Sequence, residues 1–308
     1  MLLPKKWLGT KRKRVDNVKY KGCDISQWNG NCDLAKAKKA GMNFVIIRSS
    51  FGNVTAYPQQ IDTKWYTNVK KAIEADLPFG AYHYSYATTV EGMRAEAQGF
   101  VKLLNEVKPI PYFVALDIEE KAQYNLPQAT LEAITKAFMD VVEKAGYFCA
   151  LYSYENFLCK YSPVFRKRYT IWCANTVRVP DILCGVHQYS FTGRVDGISG
   201  NVDMDSSDID YVSIIRNAGL NGYTKAKPIL DKAGFKSGDK SLGVLALKQL
   251  LSLARDKGMT SANFDASHDG FYAGTEKAVN DILAKWGYQP NGIAGEKFIK
   301  KLANSLEK

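Results

Sequence analysis

The sequence contains few of the residues that bind metals. Only three histidines occur in 308 residues, and no two cysteines have CxxC spacing. Zinc sites and catalytic metal sites depend on clusters of these side chains, so we expect no metal. A chain of this length does not need disulfides to fold. The six cysteines are therefore expected to be reduced, buried thiols, namely Cys23, Cys32, Cys149, Cys159, Cys173 and Cys184.

The motifs of several enzyme classes are also absent. No GxxxxGK[ST] loop occurs, which argues against phosphate chemistry of the nucleotide-binding kind. No GxSxG motif and no cysteine–histidine signature occurs, which argues against a serine or cysteine nucleophile. We accordingly expect no cofactor.

No apolar run approaches the roughly 18–20 residues that a membrane span requires. Residues 1–20 form a basic N-terminal extension without the apolar region and cleavage site of a secretory signal. The net charge of +11 is concentrated in 1–22 and 222–308, while the middle is nearly neutral. Basic flanks suit either a polyanionic partner or a solubilising surface. We expect no nucleic acid, because no nucleic-acid module accompanies the basic run at 11–14.

Strand-like and helical segments alternate between residues 21 and 216, with eight strand candidates. This alternation predicts an α/β fold, an irregular (β/α)8-type barrel whose helices shorten past Tyr154. Residues 217–239 are rich in glycine, lysine and serine and are interpreted as a linker with one candidate short helix at 226–233. Three apolar stripes at helical spacing between 240 and 308 predict a small three-helix domain.

The segment at 112–119 (YFVALDIE) begins as a buried strand and ends in acidic residues. Its apolar run is typical of a parallel sheet. Side chains alternate along a strand, so Asp117 and Glu119 are expected on one side, with Cα atoms about 6–7 Å apart. Two carboxylates in one partly desolvated site favour keeping one of them protonated near neutral pH. The alternative is a solvated acidic strand end.

Asp24 and Asp203 also stand where predicted strands end, and barrel enzymes carry their chemistry at the carboxyl ends of strands. Paired acids, one of them protonated, together with aromatic rings fit glycoside hydrolysis. Each ring alone is more often a core residue, but their clustering near the acids favours a sugar site. These aromatic residues are Tyr82, Tyr84, Tyr152, Tyr154, Trp172 and Tyr189.

Seven motifs resemble, in order, the strand motifs of the glycoside hydrolase family 25 lysozymes. They lie at 22–26 (GCDIS), 80–84 (GAYHY), 117–119 (DIE), 152–154 (YSY), 171–174 (IWCA), 188–190 (QYS) and 202–205 (VDMD). The resemblance covers residues 20–210. It implies an irregular β/α barrel that cleaves the β-1,4 bond between N-acetylmuramic acid and N-acetylglucosamine in bacterial peptidoglycan.

The resemblance also implies roles for individual residues. Glu119 would be the general acid and Asp117 its partner, with Asp24 and Asp203 as supporting acids. The family often has asparagine at the position of Asp205, so either Asp203 or Asp205 is the fourth carboxylate. The expected substrate-binding residues are Tyr84, Tyr152, Tyr154, Trp172 and Gln188.

The short spacing of the acids favours substrate assistance, in which the 2-acetamido carbonyl attacks the anomeric carbon while Asp117 orients the amide. A direct nucleophile and an inverting route remain open at this stage.

The region at 240–305 resembles the small helical peptidoglycan-binding modules. Its motifs are 247–250 (LKQL), 269–279 (DGFYAGTEKAV) and 291–295 (NGIAG). The resemblance implies binding to the cell wall, and the basic charge would also suit anionic wall polymers. A generic helical bundle is the alternative.

The sequence therefore predicts a modular muramidase. The lack of a secretory signal suggests a phage-type endolysin, held in the host cytoplasm until it is released to the wall, and a bacterial autolysin exported by another route is the alternative. One alternative is a chitinase-like endo-N-acetylglucosaminidase, whose barrel also carries a DxE motif. Another is a non-catalytic wall-binding protein with an inert barrel.

Overall fold

The computed structural model describes residues 20–225 and 227–307, so the basic extension predicted at 1–20 lies outside the described residues except for Tyr20. The chain divides into two compact units after Lys225. Among the described residues, no helix has the length and apolar character needed to cross a membrane.

The first unit is built on a closed barrel of eight strands. In chain order the strands are β1 (Tyr20–Ile25), β2 (Phe44–Phe51), β3 (Phe79–Tyr84), β4 (Val114–Asp117), β5 (Cys149–Tyr154), β6 (Thr170–Ala174), β7 (Val186–Val195) and β8 (Ile198–Ser207). Strands β1 to β7 run parallel to their neighbours in the series, whereas β8 is antiparallel to both β7 and β1.

Helices connect the strands unevenly. They are α1 (Leu34–Lys39), α2 (Trp65–Glu74), α3 (Val90–Val107), α4 (Lys121–Tyr124), α5 (Gln128–Lys144), α6 (Glu155–Leu158), α7 (Pro163–Arg166) and α8 (Tyr211–Ala218). The long helices α2, α3 and α5 belong to the first half, while only two four-residue helices lie between β5 and β6. This arrangement confirms the predicted α/β barrel with an irregular second half.

Side chains on opposite faces of the strands contribute to two separate apolar cores. On β2, Val45 and Ile47 pack in a large cluster with residues of α2, α3 and α5. Phe44 and Ile46 belong to a second cluster that includes Trp172 and is formed mainly by strand residues. Because successive side chains point to opposite faces, the first cluster lies between sheet and helices and the second fills the barrel.

Strand β4 is shorter than predicted. It ends at Asp117, so Glu119 lies beyond the strand and the alternation argument does not extend to it. The backbone leaves the sheet here because Glu120 starts α4, where its N–H donates to Gln123 Oε1 (3.1 Å). The placement of Glu119 is therefore set by the turn into α4.

The prediction that Asp203 stands at the carboxyl end of a parallel strand was wrong, because β8 is antiparallel. Strands β7 and β8 form a hairpin in which Val195 pairs with Ile198 across the two-residue turn Asp196-Gly197. Gly197 has φ of 93°, a conformation that favours glycine. An Asp-Gly dipeptide is a strong signal of a β-hairpin, so the antiparallel direction of β8 could have been predicted from the sequence.

Two smaller predictions were also wrong. Cys159 is exposed because it caps the end of α6 at the surface, although the other five thiols are buried and all six are free. No helix forms at 227–233. That part of the chain is instead tied into the second unit, where Pro228 O accepts from Gln289 N (3.0 Å) and Asp231 Oδ2 accepts from Phe298 N (2.8 Å).

The segment interpreted as a linker, 217–239, is divided between the two units. Asn221 belongs to the first unit, where its Nδ2 donates to the carbonyl oxygens of Ile110 (3.1 Å) and Tyr112 (2.6 Å). The second unit contains the three predicted helices, α9 (Leu242–Asp256), α10 (Ala273–Lys285) and α11 (Glu296–Leu306). They enclose a separate apolar core that includes Leu247, Val279 and Phe298.

Candidate active site

A pocket of about 450 Å³ opens at the end of the barrel where the parallel strands terminate. Its wall includes all nine residues expected in the site: Asp24, Asp117, Glu119, Asp203, Tyr84, Tyr152, Tyr154, Trp172 and Gln188. Seven other residues also contribute, namely Ser26, Trp28, Asn29, Arg48, Tyr82, Phe191 and Asn201. Side chains from strands all around the barrel thus line one cavity that is rich in acidic and aromatic residues.

Asp24 and Asp203 face each other across neighbouring strands. They are Cα partners in the antiparallel register of β1 and β8, which places the middle of β8 at the same mouth as the end of β1. Burial and the charge of Asp203 raise the pKa of Asp24 to about 8. Burial raises the pKa of Asp203 to about 6. Two carboxyls so close favour the protonated form of at least one near neutral pH.

Glu119 projects into the pocket just after β4. Its Oε2 is buried and has no hydrogen-bond partner among the described residues. Burial, together with the charges of Glu120 and Asp203, raises the pKa of Glu119 to about 7. A carboxyl with this pKa can hold a proton near neutral pH and release it to a bound oxygen, as general acid catalysis requires.

Asp117, at the end of β4, is only 4% exposed. Its Oδ1 has no hydrogen-bond partner within the described parts of the chain. Burial and the charge of Glu119 raise the pKa of Asp117 well above its usual range. An unpartnered buried oxygen is costly unless a ligand supplies a donor, so this carboxyl is available to a substrate N–H or O–H group.

Asp205 lies beneath the pocket rather than in its wall. It faces the barrel interior like Asp203, two residues away on β8, but it is fully buried. Trp172 Nε1 donates to Asp205 Oδ1 (2.7 Å). Asp24 has its own hydrogen-bond partners: Gln188 Nε2 donates to Asp24 Oδ2 (2.7 Å), and Tyr152 OH donates to Gln188 Oε1 (2.7 Å). Of the two candidates for the fourth carboxylate, only Asp203 lines the pocket.

The aromatic residues divide into buried and accessible rings. Trp172 is 1% exposed and packs against Tyr152 with ring centroids 4.4 Å apart. Tyr154 is 42% exposed, so its ring can contact a ligand. Tyr84 OH donates to Glu120 Oε1 (2.8 Å) and is thereby fixed at the rim. Tyr189, expected among the sugar-facing rings, does not line the pocket.

The sequence interpretation missed two exposed aromatic rings and a cation. Trp28, in the turn after β1, is 81% exposed at the rim, and Phe191 lies on the hairpin arm of β7. Arg48 is the only basic residue that the described part of the chain places in the pocket wall, where its Nε donates to Asp62 Oδ2 (2.8 Å). Trp28 lies three residues after the end of the strand that carries Asp24, which is a signal that could have identified it.

No group of three or more histidine, cysteine, aspartate or glutamate side chains is arranged to hold a metal ion within residues 20–225 and 227–307.

Comparison with known proteins identifies the chemistry of this barrel. The sequence profile of glycosyl hydrolases family 25 matches residues 23–198, more than half of the chain. The chain belongs to glycosyl hydrolases family 25. The hydrolase is 24% identical over 293 residues to the autolytic lysozyme of Clostridium acetobutylicum, covering 92% of this chain and 81% of that protein.

Two further relatives agree with this assignment. Lysozyme M1 of Streptomyces globisporus is 27% identical over 216 residues, covering 62% of the hydrolase and 68% of that protein. A family 25 glycosyl hydrolase from Bacillus anthracis has a TM-score of 0.56 at 18% identity, over 70% of this chain and 99% of the other, which shows the shared fold.

The hydrolase is thus a lysozyme that hydrolyses peptidoglycan, a muramidase by its family. The predicted activity on the bond between N-acetylmuramic acid and N-acetylglucosamine is confirmed at the level of family and relatives. The chitinase-like and non-catalytic alternatives are set aside by the same matches.

Proposed function

We propose that Glu119 is the general acid of the muramidase and protonates the oxygen of the scissile glycosidic bond. The observation that carries this proposal is the position of Glu119 in the pocket wall, with one buried, unpartnered oxygen and a pKa raised to about 7. A general acid in this position contributes about 10²–10⁴-fold to the rate. Among the residues that the structure describes, no other glutamate lines the pocket.

Asp117 is proposed to bind the N–H of the 2-acetamido group, so that the acetamido oxygen attacks the anomeric carbon. This role is supported by the buried Oδ1 of Asp117, which lacks a donor within the described residues. Asp117 ends β4 and Glu119 follows only two residues later, which leaves little room for a water-activating base across the sugar. The route retains the anomeric configuration, which nuclear magnetic resonance of the first product would report.

Asp24 and Asp203 are proposed to stabilise the positive charge that develops on the sugar ring. Both line the pocket, and Asp203, whose pKa of about 6 leaves it ionised at neutral pH, supplies a carboxylate that stabilises an oxocarbenium-like transition state beside Asp24. The rings of Tyr84, Tyr154 and Trp172 are proposed to orient the sugars, with Tyr154 as the most accessible of the three.

The experiment that tests the catalytic assignment is Glu119→Gln, assayed on purified peptidoglycan with mass spectrometry of the new reducing ends. The wild type is expected to leave reducing N-acetylmuramic acid, and the variant is expected to lose at least about 10²-fold in turnover. The matched control is Glu74→Gln on the exposed surface of α2, which should retain full activity. An active Glu119→Gln enzyme with normal products would refute the assignment.

We further propose that the second unit binds the cell wall. This proposal is supported by its separate apolar core and by the excess of lysine over acidic residues in that part of the sequence. A chain ending at Lys225 is expected to cleave soluble oligosaccharides normally but to bind sedimented walls more weakly than the full chain. Equal binding by both chains would contradict the proposal. Storage in the host cytoplasm and release to the wall stay a prediction.

A further inference from the structure

A second cavity of about 440 Å³ lies beside the active-site pocket. The two cavities share Tyr154 and Phe191, whose rings meet edge to face with centroids 6.2 Å apart. Phe191 is 39% exposed, so both shared rings offer accessible surface. A ligand that extends past these rings leaves the active-site pocket and enters the second cavity.

One wall of the second cavity is held in place by hydrogen bonds to the buried carboxylate of Glu155. Glu155 Oε2 accepts from Asn175 Nδ2 (2.6 Å), and Glu155 Oε1 accepts from Asp181 N (2.5 Å). Asn175 Oδ1 in turn accepts from the backbone N–H groups of Val177 (3.0 Å) and Arg178 (3.1 Å). The loop between β6 and β7 is thereby fixed, and the cavity is preformed.

The charges around this cavity are paired with one another. Arg178 forms ion pairs with Glu155 (3.2 Å) and with Asp181 (2.8 Å), so the described residues of the wall leave no unpaired cation for an anionic ligand. The remaining polar residues, Asn156 and Thr176, are neutral. Aromatic rings beside amides and hydroxyls suit an uncharged carbohydrate, since the rings pack against C–H surfaces while the polar groups bind hydroxyl and acetamido groups.

We propose that the second cavity binds further sugar units of the peptidoglycan glycan strand, which continues from the active-site pocket across Tyr154 and Phe191. This inference rests on the proposed function, because it extends the binding site of the same reaction. It predicts that the hydrolase prefers long glycan substrates, and that blocking the second cavity removes that preference while the chemistry at Glu119 continues.

Cys159 provides a probe that is specific to this cavity. Its thiol is the only exposed one of the six, and it lines the second cavity but not the active-site pocket. A maleimide carrying fluorescein reacts with accessible thiols and is large enough to fill a cavity of this size. The conservative variant Cys159→Ser cannot be labelled and is the matched control.

The test compares kcat/KM for peptide-free oligosaccharides of alternating N-acetylglucosamine and N-acetylmuramic acid, from tetrasaccharide to octasaccharide. Labelling at Cys159 is expected to lower kcat/KM about tenfold for the longest substrate, with little change for the shortest. Cys159→Ser treated with the same reagent should keep the full length preference.

Two results would overturn the inference. They are an equal loss at all lengths and no loss for the octasaccharide. If the unlabelled hydrolase cleaved none of the oligosaccharides, the proposed function would be overturned and this inference with it. Labelling that abolishes only the length preference supports both.

Discussion

Asp24 and Asp205 are diagonal neighbours on the paired strands β1 and β8, where both side chains face the barrel interior. Gln188 Nε2 donates to Asp24 Oδ2 (2.7 Å), and Trp172 Nε1 donates to Asp205 Oδ1 (2.7 Å). Asp205 Oδ2 is buried, and no hydrogen-bond donor among the described residues reaches it. Burial and the charge of Asp24 raise the pKa of Asp205 well above its usual range, so we expect Asp205 to carry a proton that it donates to Asp24.

We expect Asp205 to position Asp24 as a hydrogen-bond donor, so that asparagine can replace it. The amide of Asp205→Asn can donate to Asp24, so kcat/KM is expected to stay within about threefold of wild type. Asp205→Leu removes the expected donor to Asp24 and leaves the buried N–H of Trp172 without its acceptor, which costs about 1–3 kcal/mol. A corresponding loss of about tenfold or more in kcat/KM is expected, measured on soluble oligosaccharides. Equal damage by both variants would show that the negative charge of Asp205, rather than its proton, is required.

The pH dependence of the reaction follows from Glu119. Its pKa of about 7 means that the acid form is present below pH 7 and is lost as the pH rises further. We expect kcat/KM to fall about tenfold per pH unit above neutrality. A pH series on soluble oligosaccharides measures this decline, and Glu74→Gln should show the same profile. Activity that increased between pH 7 and pH 9 would contradict the role of Glu119 as an acid.

Asp203 is expected to lower stability at neutral pH. Burial raises its pKa from 3.8 to about 6, so the folded protein binds its proton more tightly than the unfolded chain. The destabilising effect is absent below pH 3.8 and is fully developed above pH 6. Asp203→Asn should therefore raise the free energy of unfolding at pH 8 by roughly 1–3 kcal/mol and change it little at pH 3.5.

Chemical denaturation at the two pH values measures this difference. Asp140→Asn, at an exposed position of α5, is the control and should show no such pH-dependent gain. A variant that is less stable than wild type at pH 8 would show that the charge of Asp203 stabilises the fold instead.

Much of the site could be predicted from the sequence because parallel strands bring their carboxyl ends together. Asp24 and Asp117 follow that rule directly. Asp203 reaches the same mouth by a different route, since the β7–β8 hairpin reverses the chain and places the middle of β8 there. Glu119 was placed in the right cavity by an alternation argument that does not hold beyond Asp117. Its position depends on the turn into α4.

The positions of Phe191 and Arg48, which the sequence analysis did not predict, depend on contacts that the spacing of apolar residues does not reveal. Phe191 enters the pocket because β7 continues to Val195 as a hairpin arm, well past its last pairing with β6 at Gln188. Arg48 is held toward the barrel mouth by Asp62, which lies in the loop after β2. Both placements result from contacts between segments distant from the strand ends.

Trp28 should contribute to substrate binding rather than to the chemical step. Its ring is 81% exposed at the rim, so removing it costs little packing but deletes a surface for a sugar ring. Trp28→Ala is expected to raise KM about fivefold, equivalent to about 1 kcal/mol, with kcat nearly unchanged. Tyr57→Ala removes an exposed ring that does not line the pocket and is the matched control. Steady-state kinetics on soluble oligosaccharides separates the two parameters, and a fall in kcat at constant KM would place Trp28 in the transition-state contacts instead.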